Sequence, residues 1–128
     1  MRIESLVSTM MSLNVKARLW HWITDAASHH TTFEQFLTQN EALTDSLMES
    51  ALGNDVVVDF TQVGVETSRV PEYRLTQVNK ELKNYRSLVR RSQKEFEEID
   101  SEASTELITI LDDVAELTSK TVYLLKLK

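Results

Sequence analysis

Four stretches of this chain repeat apolar residues at helical spacing, and one stretch does not. Ile3, Leu6, Met10, Leu13, Ala17 and Trp20 recur at steps of three and four. That period keeps one face of an α-helix apolar, so a helix over 3–25 is expected. Phe33, Phe36, Leu37, Leu43 and Leu47 share another apolar face. They predict a helix over 28–52, with Ser28 as N-cap and Gly53 as stop. Leu75, Val78, Leu82, Tyr85, Val89, Ser92, Phe96 and Ile99 form an unbroken heptad seam with one polar member. This predicts a third helix over 71–99, with Pro71 in its first turn. Asp100 and Ser101 give a turn and N-cap signal, and Leu107, Ile110, Leu111, Val114, Leu117, Thr121, Leu124 and Leu125 carry a fourth helix over 102–126.

The range 53–70 lacks that period. Val56, Val57, Val58, Phe60, Val63 and Val65 are β-branched or aromatic and partly alternate with polar residues. An extended crossover is expected there, with a short strand or turn. In a four-helix bundle a long connection falls where two helices must run parallel. The expected fold class is therefore all-α, a four-helix bundle with a long crossover between helices two and three, in a single domain over 1–128.

Composition sharpens this picture. Two Gly and one Pro in 128 residues suit long helices. A net charge of −6 argues against an unassisted DNA binder, because phosphate affinity comes from Lys and Arg. Local basic clusters do occur at Arg86, Arg90 and Arg91 and at Lys120, Lys126 and Lys128. The absence of cysteine excludes disulfides and thiolate metal sites. No apolar run approaches the ~18 residues of a membrane span, and the amphipathic start does not read as a signal peptide. A cytoplasmic protein with no membrane partner is expected.

Candidate chemistry lies on the second helix. His30, Glu34, Asp45 and Glu49 fall at about 0°, 40°, 60° and 100° around a helix axis, so they share one stripe. The apolar residues of the same helix occupy about 220° to 340°, so the core face and the stripe are distinct. Imidazole nitrogen with carboxylate oxygen suits iron-like metals. Glu34 and Asp45 are eleven residues apart, about 17 Å along the axis, too far for one ion. Two copies packed antiparallel through this face would bring His30 and Glu34 of one against Asp45 and Glu49 of the other. His21, at the end of the preceding helix, could join the His30 end or could instead cap helix carbonyls. His29 reads as an exposed neighbour, Trp20 and Trp22 as packing or interface residues, and Asp112, Asp113 and Glu116 as a charged outer face.

The run His21-Trp22, a short connection, His30, a carboxylate four on at Glu34, Asp45 eleven further and Glu49 four further resembles the starvation-induced mini-ferritins of the Dps type. The resemblance is close over 15–53 and looser beyond. It implies a ferritin-like bundle with a di-iron centre shared between two subunits, where His21, His30, Glu34, Asp45 and Glu49 are the metal ligands. It implies a homo-oligomer, at least a two-fold dimer, that oxidises Fe(II) with peroxide or dioxygen; Zn(II) is an alternative metal. The chain departs from the family in a shorter His21–His30 link without Gly, in Glu34 where Asp is common, and in lacking the basic N-terminal tail that some relatives use on DNA. In size and in its Ile110-Leu111-Asp112-Asp113 and Tyr123-Leu124-Leu125 segments it resembles small ferritin-like proteins of tailed bacteriophages. That likeness implies the host cytoplasm as location. It also implies an alternative role, a non-enzymatic accessory protein that binds a host protein or another ligand.

Overall fold

The apolar periods become helices of nearly the expected length. The structure, a computed structural model, describes residues 2–66, 69–99 and 101–127. It contains α1 (Ile3–Ile23), α2 (Ala27–Gly53), α3 (Leu75–Ile99) and α4 (Glu102–Lys126), with one 3-10 turn at Phe60–Gln62. The described residues include no strand. This is the all-helical, four-helix arrangement that a four-helix bundle requires. α2 packs on α1 and α4, and α3 packs on α4. Their apolar faces close over Leu6, Met10, Trp20, Phe33, Phe36, Leu47, Leu82, Leu107 and Leu111, all essentially inaccessible to water. Along the α3 seam, Val78 to Phe96 are buried, whereas Ile99 at the helix end is 64% exposed because the core stops before it.

Side-chain bonds fix how the helices run. His21 of α1 meets His30 of α2, and Asn14 meets Asn40, so these two helices run in opposite directions. Gln93 and Arg86 of α3 bond to Ile108 and Ser119 of α4, again in opposite directions. Ser50 and Asn54 near the end of α2 bond to Glu106 near the start of α4. Within the bundle, Tyr85 donates to Asn40 at 2.7 Å and Asn40 donates to Asn14 at 2.9 Å. Asn40 is completely buried, and this chain of bonds satisfies it across three helices. Asn40 falls at about 280° on the wheel used above, inside the apolar arc. A polar residue on that arc was a readable signal of a buried network.

The helix ends differ from expectation in ways that hydrogen bonding explains. α2 begins at Ala27, and its N-cap residue is Ala26, which has no side chain able to cap. Ser28 lies inside the first turn and is not the cap. The corner is instead held by Thr24 Oγ1, which accepts from the Ala26 amide, and by the two histidines described below. α2 also runs through Gly53; the stop lies two residues later. Asp55 adopts φ 61°, the amide of Val56 reaches back to Ala51 O at 2.9 Å, and that of Asp55 to Leu52 O at 3.2 Å. This is a Schellman cap with Asp in the left-handed position usually given to Gly. α3 starts at Leu75, with Arg74 O accepting from Gln77 and Val78. Pro71 therefore precedes the helix, in a bend, and does not open it. Ser101 caps α4 as expected, accepting from the Ser104 amide at 3.2 Å. Asp100 and Lys128, also singled out above, lie outside the described residues.

In the described part of the connection between α2 and α3, three amides bond to side chains of α1 and not to a strand. Asp59, Gly64 and Glu66 donate their backbone N–H groups to Glu4 Oε2, Ser8 Oγ and Ser12 Oγ at 2.9, 3.1 and 3.1 Å. Those three acceptors sit four residues apart on one face of α1. The short strand that the valine-rich sequence suggested has no partner strand among the described residues, and the α1 side chains take its donors.

Candidate metal centre

The α1–α2 corner carries the chemistry. His21 stands in the last turn of α1 and His30 in the first turn of α2. Their rings stack at 3.8 Å between centroids, 23° apart in plane. His21 Nδ1 lies 2.9 Å from His30 O, and His30 Nδ1 lies 2.8 Å from His21 O. A carbonyl oxygen only accepts, so each Nδ1 carries the proton. In a neutral imidazole the other nitrogen then bears the lone pair, so both Nε2 atoms are left free to ligate. The short link between the two histidines is what makes this reciprocal pairing reachable. His30 Nδ1 thereby caps the His21 carbonyl at the end of α1, whereas His21 Nδ1 bonds a carbonyl in the first turn of α2 and not one of its own helix.

Glu34 completes a group of three. One ligand atom each from His21, His30 and Glu34 lies within 4.8 Å of the others. Metal bonds of about 2.0–2.2 Å need donors within about 4.4 Å of each other. Glu34 is exposed, so its side chain has room for the small rotation that closes the set. Two neutral nitrogens and one carboxylate could hold a divalent metal ion, with coordination positions left over. Among the described residues this is the one such group. His21 is buried while His30 and Glu34 are exposed, so the group opens to solvent on one side.

Asp45 and Glu49 do not join it. Both are exposed on α2, further along the stripe. Asp45 lies at the wall of an open groove of about 940 Å³ formed by α1, α2 and the connection. Met11, Val15, Trp22, Leu37, Phe60 and Val63 line this groove. Val15, Trp22, Phe60 and Val65 are 40%, 65%, 58% and 45% exposed, a large apolar area for one chain to leave in water. Arg18 sits 5.9 Å over the Trp22 ring at its edge. Trp22 is thus a surface residue, whereas Trp20 is buried against Phe33.

No other candidate joins this group among the described residues. His29 belongs to no ligand group among the described residues. Asp112 accepts from Gln93 and Arg90 at 2.8 and 2.7 Å, and these bonds, Gln93 first, hold its carboxyl below the usual aspartate range. No helix among the described residues is long and apolar enough to cross a membrane. No protein-family model, curated protein or solved structure matches the chain.

Proposed function

We propose that this protein is a ferritin-like iron protein that binds and oxidises Fe(II) at sites shared between two copies. His21, His30 and Glu34 of one protomer would meet Asp45 and Glu49 of the other. The observation that carries the reading is the histidine pair, each Nδ1 bonded to a carbonyl and each Nε2 left free, beside Glu34. Three donors leave an ion short of ligands, and two further carboxylates stand on the same α2 stripe. The exposed apolar groove beside Asp45 supports a second copy as the occupant, because two-fold packing through it buries apolar area and brings each Asp45 toward the other copy's histidines. The topology supports the ferritin-like part. α2 and α3 each run opposite to α4, hence in the same direction, and residues 54–74 must return along the bundle between them. Bound iron would supply one-electron chemistry toward peroxide or dioxygen. The chain's own groups would hold the ion, neutralise its charge and fix the imidazole tautomers.

Anaerobic Fe(II) titration with mass determined in solution tests this. Saturation near two sites per dimer or a multiple, followed by faster-than-background oxidation on adding peroxide or air, is expected. His30→Ala and Asp45→Ala should each abolish binding. Mixing the two variants should restore about a quarter of the sites, since random pairing gives half heterodimers with one intact site each. If subunits exchange but no site returns, the ligands are not shared. If Asp45→Ala binds normally, the three donors of one chain act alone, which suits a four-coordinate zinc ion better than a di-iron centre.

A further inference from the structure

The connection does more than return the chain to α3. Its segment 59–66 supplies Phe60, Val63 and Val65 to one wall of the α1–α2 groove. Little of this segment is buried: all its residues are exposed except Val63, which is half-buried. Besides Val63, which packs against the core, the segment is tied to α1 by three amide bonds, to Glu4, Ser8 and Ser12. Its head is held by two carboxylates in series. Glu4 takes the Asp59 amide, and Asp59 in turn takes the Thr61 amide and hydroxyl at 3.0 and 2.6 Å, closing the 3-10 turn. These are bonds to charged acceptors, the stronger kind, at the one end; the bonds to Ser8 and Ser12 are neutral.

We propose that segment 59–66 is a detachable wall of the groove, latched to α1 through Glu4 and released by acid. The latched state presents Phe60, Val63 and Val65 as part of one continuous apolar face with α1 and α2; the released state breaks that face. Resting on the reading that two copies pair through this groove, the latch makes pairing depend on pH.

The charges around the latch fit this role. The charged groups that face Glu4 are Arg2, at 3.8 Å on its own helix, and Asp59 on the segment. The Asp59 amide, before any other group, holds the Glu4 carboxyl below the usual glutamate range. The Thr61 hydroxyl and amide do the same for Asp59. Both shifts mean that the latch favours the charged forms. Its contribution is complete above the ordinary carboxylate range and is lost as pH falls through the lowered values. Protonating Glu4 removes the charge that strengthens the Asp59 bond, and protonating Asp59 loosens the turn beyond it.

Hydrogen exchange at the amides of Asp59, Gly64 and Glu66, read by NMR on the full chain with solution mass measured in parallel, tests the latch. At neutral pH the Asp59 amide should exchange at least about tenfold more slowly than in Glu4→Gln. Ser8→Ala and Ser12→Ala should speed exchange at Gly64 and Glu66 while leaving Asp59 protected. Protection at Asp59, corrected for intrinsic exchange, should fall on acidification in the wild type and fall by clearly less in Glu4→Gln. Circular dichroism should show unchanged helix content in each variant. Equal protection of Asp59 in wild type and Glu4→Gln, or loss of protection only together with global unfolding, would overturn the latch. A protein that is monomeric at every pH, yet shows the latch behaviour, would sink only the pairing reading.

Discussion

At the two histidines the decisive atoms are the Nδ1 nitrogens, because each donates to the other residue's carbonyl and so leaves Nε2 free for a metal. The sequence offered His21 as ligand or cap and His30 as ligand; the backbone geometry makes His30 the residue that caps an α1 carbonyl. Tyr85 shows the same dependence on surroundings. Its hydroxyl is buried and bonds to the completely buried Asn40. Burial pushes the phenol far above its ordinary range, and the bond from Tyr85 to Asn40 only partly offsets this. Burial likewise raises Tyr73. A group with a raised folded value contributes stability below its unfolded value, and that contribution is lost as pH rises. Stability should therefore decline from about pH 10 upward, as unfolding becomes the route to ionising these phenols. Urea denaturation across that range should show the decline, with a shallower slope for Tyr85→Phe. At neutral pH the same substitution should cost about 1–3 kcal/mol, since it strands a buried Asn40 oxygen. No loss at neutral pH would mean that the network is slack.

Among the elements, the end of α2 is the least expected and the most testable. A sequence reader stops the helix at Gly53, but Asp55 takes the left-handed position. Gly53 is followed by Asn54, whose side chain bonds Ser50 O and Glu106 at 2.8 and 2.7 Å. That pair of bonds fixes Asn54 short of the turn and passes the positive φ to the next residue. A β-branched residue in that conformation is strained by roughly 1–2 kcal/mol. Asp55→Val should lower the denaturation midpoint accordingly, while Asp55→Gly should hold or raise it, the relief of strain being offset by glycine's extra freedom when unfolded. Equal stability of the two variants would remove the positive φ from the account.

For the molecule as a whole, acid is the condition that its surface bonds make costly. Glu106 is held below the usual range by Ser50 and Asn54, and Asp112 by Gln93 and Arg90. These bonds tie α2 to α4 and α3 to α4. Their lowered values mean that the stability they bring is full above the ordinary carboxylate range and is lost as pH falls through the shifted values. Thermal unfolding should therefore be flat near neutrality and lose midpoint below about pH 5. Glu106→Gln and Asp112→Asn should each flatten part of that loss. All these groups are exposed, so each contribution is small and should shrink with added salt. An acid profile unchanged in both variants would assign the loss to other carboxylates.

The sequence by itself determined the helices. A 3.6-residue apolar period needs no tertiary partner to be read, and the four segments and most of the apolar core follow from it, while the Ser101 cap follows from the turn signal before α4. It also marked the α2 stripe of His30, Glu34, Asp45 and Glu49, since positions around one helix are fixed by counting. What it could not decide were the relations between elements. Whether His21 reaches His30, which nitrogens carry protons and where α2 ends depend on bonds made across a corner. The fate of the valine-rich connection depended on finding acceptors on α1, because backbone donors take whichever partner the tertiary fold brings near. Counting along a helix places a residue on a face; only packing decides what that face meets.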